Sequence, residues 1–230
     1  MKKLLLLGVL ILFLFCSCNQ DSGITEQQYY AMYGHLSEMW AQSLEHADAE
    51  NAFFGDSRVA GADWYAAFPE AKVINLGVGG DRVNNLLTRF GQIEALVKSG
   101  SLKRVFVAIG GNDCLDTKFD PDTFRNEYDG LLTKLGNLEI TVYVNTVAGV
   151  CRQSSVLSDS RIKKTNAHMA QANTIILELA KKHGMDVIDM ADKMNNDDGS
   201  LKAEYCVEDG VHFSQTGNAC WFETLSELVK

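Results

Sequence analysis

Proline is almost absent from this chain, with 2 residues in 230. No Gly/Ser-rich stretch is long enough to act as a linker, and no repeat occurs at solenoid or propeller period. The sequence therefore has no visible seam, and a hydrophobic content of 46% predicts one domain with a substantial core. Positive charge is also scarce: 21 Lys and Arg stand against 30 Asp and Glu, a formal charge of -9. That balance excludes a nucleic-acid partner and would be repelled by an anionic membrane surface. The four cysteines beyond residue 50 match no CxxC metal pattern. The glycine clusters lack GxGxxG spacing, and no Walker lysine follows them, which argues against a phosphate cradle.

The N-terminus has its own logic. Met1-Lys2-Lys3 precedes an apolar run from Leu4 to Phe15, and then Cys16-Ser17-Cys18, which is the pattern of an export signal. A spanning helix needs roughly 20 apolar residues, and here Asn19, Gln20, Asp21 and Ser22 take over sooner. The stretch Phe15-Cys16-Ser17-Cys18 resembles a bacterial lipobox, with Ser17 in the small position and Cys18 as the lipidated residue. It departs from that pattern at Phe15, where Leu is usual, and cleavage without lipid is the plain alternative. Loss of residues 1–17 removes two lysines and no acid, moving the formal charge from -9 to -11. Membrane attachment would then come from acyl chains on Cys18 and not from basic residues. The expected organisation is a signal at 1–17, a lead-in segment with an amphipathic helix at 18–50 and the main domain at 51–230. Cys114, Cys151, Cys206 and Cys220 could form two disulfides in an oxidising compartment or serve as small buried hydrophobes. A Cys114–Cys206 bridge would brace the site described below.

From residue 25 to about 50, apolar residues at Tyr29, Met32, Leu36, Met39, Trp40 and Leu44 recur close to helical spacing. His35 and His46 on that helix lack a partner constellation and are expected at the surface. Short apolar runs follow at 52–54, 72–76, 104–109, 140–144 and 185–189, with the character of buried strands. Helical patterns occupy 82–98, 121–135, 161–183 and 213–229. Alternation of this kind predicts an α/β fold with a five-stranded parallel sheet covered by helices on both faces. Function in such sheets sits at the C-terminal strand ends.

Those ends carry the chemistry. Ser57, in Gly55-Asp56-Ser57, follows the first strand where a tight turn can expose its hydroxyl. Alone it could equally be a helix cap, since a hydroxyl nucleophile needs a base. The base candidate is His212 in Asp209-Gly210-Val211-His212, where Asp209 can hold the imidazole's tautomer and orientation. His168 falls on a polar helix, and His183 sits at a helix C-terminus where cations favour the dipole. An acyl-transfer site also needs donors for a developing oxyanion. Asn112, in Gly110-Gly111-Asn112-Asp113, and the backbone of Gly77-Val78-Gly79-Gly80 supply candidates.

These blocks, in this order, resemble those of the SGNH (GDSL-type) hydrolase superfamily: a GDS serine, a glycine, a GxND asparagine and a late DxxH pair. The stretch Asn75-Leu76-Gly77-Val78-Gly79-Gly80-Asp81 is similar to the second block and selects Gly80. The resemblance implies a three-layer flavodoxin-like sandwich and an esterase or acylhydrolase that uses no metal or cofactor. It implies Ser57 as nucleophile, His212 as base, Asp209 as its orienting acid, and Ser57, Gly80 and Asn112 as the oxyanion hole. The partner it suggests is a small ester, with O-acetyl groups on carbohydrate foremost. Lipid or thioester acyl groups come next, and a non-catalytic surface binding module on the same fold is the competing class. Arg58 stands where relatives carry an aliphatic residue, and is expected to recognise an anionic group or to pair with a nearby acid. The fourth strand ends in Asn145-Thr146-Val147 without the proline common in relatives, which leaves the shape of that loop open.

Overall fold

The computed structural model describes residues 26–230; the expected signal at 1–17 and Cys18 lie outside them. Five strands form one parallel sheet: β1 (Asn51–Gly55), β2 (Val73–Gly77), β3 (Arg104–Ala108), β4 (Thr141–Asn145) and β5 (Asp186–Ile188), in spatial order β2-β1-β3-β4-β5. That order puts the topological switch between β1 and β3, where the connections leave for opposite directions and a crevice opens at the C-terminal ends.

Alternate residues of each strand serve opposite faces. Ala52, Phe54, Val105, Val107, Val142 and Val144 point into one core. It is closed by α1 (Glu26–Leu44), α4 (Val83–Thr88), α5 (Gly91–Lys98), α7 (Pro121–Gly136) and α8 (Asp159–His183). Phe53, Phe106 and Tyr143 point into the other. There α2 (Ser57–Ala60), α3 (Trp64–Ala67), α9 (Met190–Met194) and α10 (Gln215–Leu225) form the cover. This second core is an aromatic stack: Phe53 lies 3.7 Å from Trp64 and 5.0 Å from Phe106, and Phe106 lies 5.0 Å from Tyr143. Trp221 meets Trp64 edge-on at 4.8 Å, and its indole N–H donates to Asn145 Oδ1 at 3.1 Å, so its one polar atom is satisfied inside the core.

The remaining short elements are α6 (Gly111–Leu115) and a 3₁₀ turn at Ala203–Tyr205. Helices of four or five residues complete too few turns to leave a period in the sequence, so α2, α3, α6 and α9 are legible only in the structure. The pattern at 82–98 predicts one helix, but it is split. The break falls at Arg89 and Phe90, where the Arg89 side chain turns inward and is 1% exposed, and Gly91 follows. The lead-in helix ends earlier than expected, at Leu44, and its buried stripe is rotated. Tyr33, Ser37 and Leu44 face inward, whereas Met39 is exposed.

Candidate active site

All four blocks converge at the C-terminal edge of the sheet. Ser57 opens α2 directly after β1, and Asp56 caps that helix by accepting from Arg58 N at 2.9 Å. Gly77 ends β2 against this helix so closely that a Cβ there would lie 2.1 Å from Ala60 N, so only glycine lets α2 pack on the strand end. Gly80 has φ 82°, a left-handed backbone, in the turn closed by Asp81 N donating to Val78 O at 3.3 Å. Asn112 sits in the first turn of α6, and its side-chain amide donates to Asp81 O at 2.9 Å. An amide NH₂ has two hydrogens, so one remains for the crevice.

Ser57 Oγ lies 2.8 Å from His212 Nε2, and His212 Nδ1 lies 2.7 Å from Asp209 Oδ2. The other carboxylate oxygen of Asp209 accepts from the backbone N–H groups of Val211 at 2.7 Å and His212 at 2.9 Å. Partial burial pushes the Asp209 carboxyl up, but its bonds to the His212 ring and to these two N–H groups outweigh that and hold its pKa below the usual carboxylate value. Asp209 is thus an anion facing the imidazole, and the Nδ1 side carries the proton that leaves Nε2 free to accept from Ser57.

The loop bearing Asp209 and His212 has no regular element of its own, so other segments fix it. Cys151 N donates to Gly210 O at 2.7 Å, Ser155 N donates to Glu208 O at 3.0 Å, and the Ser154 hydroxyl donates to Asp209 O. Arg58 completes the hold. Its guanidinium donates to Val211 O at 3.0 Å, Ala148 O at 2.7 Å and Gly149 O at 2.9 Å, and it lies 4.6 Å from the Phe213 ring centroid. The hydrogen bonds of the Arg58 side chain thus go to main-chain carbonyls and not to a carboxylate. The guanidinium bridges backbone carbonyls of two loops, because three carbonyls converge where a fork of donors can reach them all. The segment after β4, lacking proline, is shaped by asparagines: Asn173 accepts from Val147 N, Asn166 from Val150 N and Asn195 from Gly149 N, at 2.7–2.8 Å.

Cys114 lies in the core on one face of the sheet, whereas Cys151, Cys206 and Cys220 belong to the other. A Cys114–Cys206 bridge would cross the sheet, and all four thiols are free. His35 and His46 are exposed; His168 bonds Cys114 O and His183 pairs with Asp129. Among the described residues no group of three or more His, Cys, Asp or Glu could hold a metal ion.

A cavity of about 190 Å³ is lined by Arg82, Asp113, Asp116, Lys118, Phe119 and Glu127, and none of Ser57, Gly80, Asn112, Asp209 and His212 is among its lining residues. Burial pushes the Asp113 carboxyl up to about 7, and its Oδ2 has no hydrogen-bond partner among the described residues.

Sequence reasoning missed Arg89, Asp81 and Tyr33, which meet beneath the site. A signal existed for Arg89: Val83, Leu86 and Ile93 mark a buried stripe at helical spacing, and Arg89 falls on it.

A doubly wound parallel sheet with a Ser–His–Asp chain at its C-terminal edge is the architecture of the SGNH hydrolases. The chain belongs to the GDSL-like lipase/acylhydrolase family, whose model matches residues 53–220, and is accordingly an ester-bond hydrolase. Similar solved structures come from bacteria. A Streptococcus pneumoniae protein provisionally described as a platelet activating factor superposes with a TM-score of 0.73 at 19% identity, over 87% of this chain and 94% of that one. A GDSL-like lipase from Bacteroides thetaiotaomicron gives 0.65 at 17% identity, over 86% and 97%. An acetyl xylan esterase gives 0.61 at 20% identity, over 78% and 100%. No curated protein matches the sequence.

Proposed function

We propose that this protein is a serine esterase that removes small acyl groups, with O-acetyl groups on carbohydrate as its substrate class. The observation that carries the chemistry is the continuous chain from Ser57 Oγ to His212 to Asp209, at 2.8 and 2.7 Å. Ser57 Oγ attacks the ester carbonyl while His212 Nε2 takes its proton, and Asp209 holds the ring and stabilises the imidazolium. The oxyanion is received by the N–H groups of Ser57 and Gly80 and by the free hydrogen of the Asn112 amide. His212 returns its proton to the leaving alcohol, and water then opens the acyl-enzyme by the same route. For the substrate class we take the O-acetyl carbohydrate that the sequence resemblance puts foremost. Similarity to an acetyl xylan esterase fold agrees with that choice. In this reading the protein is exported and tethered to the cell envelope through lipid on Cys18.

Hydrolysis of p-nitrophenyl esters from acetate to palmitate, with Ser57→Ala alongside, tests the proposal. Activity on acetate that falls at least about 10³-fold in Ser57→Ala is expected. A preference for long chains would move the substrate to lipids, and activity indifferent to Ser57 would discard the mechanism.

A further inference from the structure

Asp81 and Arg89 form an ion pair at 2.7 Å in which both side chains are 1% exposed. A buried pair of this kind is weak evidence for stability, because desolvation offsets much of the attraction. Its connections point to another role. Besides Asp81, the Arg89 guanidinium donates to Gly55 O at 2.9 Å and to Gln92 Oε1 at 2.9 Å, and it stacks 4.4 Å from the Phe54 ring centroid. Gly55 leads directly into Asp56 and Ser57. Asp81 directly follows Gly80, and its backbone carbonyl is the acceptor that orients the Asn112 amide. One guanidinium thus ties together the segments that carry all three candidate oxyanion donors.

The carboxylate of Asp81 has a further partner, from outside the segment that the family model matches. Tyr33, 6% exposed on α1, places its hydroxyl 2.8 and 2.9 Å from the two oxygens of Asp81. Helix α1 packs along α5, which follows the break at Arg89. Through this buried hydroxyl the lead-in helix reaches the residue that follows Gly80.

We propose that Tyr33, Asp81 and Arg89 are positioning residues, and that α1 is through Tyr33 a working part of the active site, setting the Gly80 N–H and the Asn112 amide at the oxyanion. This rests on the proposed roles of Ser57, Gly80 and Asn112. Tyr33 and Arg89 together hold the carboxylate at both oxygens. Without the hydroxyl Asp81 can swing about the Arg89 bond, carrying its own backbone and Gly80 with it. Displacements well under an ångström matter here, since misplacement by about 1 Å can cost on the order of 100-fold in rate.

The test is Tyr33→Phe in the full chain, which deletes one oxygen and keeps the ring that fills the core. Its kcat for p-nitrophenyl acetate should fall about 10-fold or more with KM little changed, and its affinity for phenylboronic acid, whose tetrahedral adduct presents an oxygen to the same donors, should weaken in parallel. Arg89→Lys keeps the charge but cannot reach Asp81, Gly55 and Gln92 together, and should show the same split. A lowered melting temperature in both variants with unchanged kcat at 25 °C would reduce the network to a structural role and overturn the proposal. So would losses of kcat that leave boronate binding intact. Should Tyr33→Phe fail to fold, Arg89→Lys decides by the same two readings. Ser57→Ala separates the two levels: if it is inactive while Tyr33→Phe and Arg89→Lys match the parent, the esterase reading stands and this one falls.

Discussion

Burial raises the pKa of Asp56, Asp81 and Asp113 alike, but among the described residues only Asp113 leaves a buried carboxylate oxygen without a partner. It is 9% exposed, its closest donor is Val83 N at 3.4 Å, and Tyr128 OH, also buried, lacks a partner among the described residues. Burial raises its pKa to about 7, so the folded protein binds this proton more tightly than the unfolded chain does. Stability should therefore decline as pH rises from the ordinary carboxylate range through about 7, and level off above it. Asp113→Asn removes the ionisation and is expected to be more stable than the parent at pH 8, by roughly 1–4 kcal/mol, with little difference at pH 4. Urea titrations of both proteins at the two pH values measure this. An equal offset at both would show that packing and not charge separates them. Asp209 behaves oppositely. Its folded pKa is held low, so its share of stability is present above the usual carboxylate range and is lost as pH falls through its folded value.

Among elements, the segment from Cys206 to Ser214 combines internal hydrogen bonds, such as Val207 N to His212 O, with ties to other segments. It contributes Asp209 and His212 yet has no helix or strand, and it is tied to the loop after β4 and to Arg58 on α2. Removing Arg58 strands three carbonyls and frees the His212 loop from the helix that carries Ser57. Arg58→Met should lower stability by about 2–4 kcal/mol. It should also reduce kcat more than KM, as the Ser57–His212 distance loses its restraint. Urea unfolding and initial-rate kinetics on one preparation test both, and a variant with full stability would mean the loops hold each other without it. The residue type here is informative in hindsight. A cation directly after the nucleophile reads in sequence as a substrate ligand or an acid's partner; its actual partners are main-chain oxygens, which every residue possesses and no motif records.

For the whole molecule, net charge and topology set complementary limits. A strongly acidic surface offers an anionic bilayer no electrostatic attraction, so the proposed envelope attachment depends on acyl chains at Cys18. Radiolabelled palmitate should enter the protein in an expressing bacterium and should be absent from Cys18→Ala, which is expected in the soluble fraction. Label retained by Cys18→Ala would refute lipidation at that residue. The sheet places every candidate catalytic segment at one edge whatever the anchor, because all five strands run parallel and their C-terminal ends share a side.

How much of this was legible beforehand follows from the range of the interactions. Buried strands announce themselves through short apolar runs and long helices through a period of 3.6, which are local properties, and all five strands lie at those runs. Ser57, Gly80 and Asn112 could be singled out because each stands in a short block after a strand, and Asp209 and His212 because they lie three apart on one loop before the last helix. The sequence alone thus determined the layers and the candidate residues that meet at the C-terminal edge of the sheet. Only tertiary structure decided what holds them there. Arg58 reaches 153 positions along the chain to Val211 and 90 to Ala148, and Tyr33 reaches 48 to Asp81. Hydrogen bonds at such separations depend on where the packed helices and loops come to rest, so no spacing in the chain encodes them.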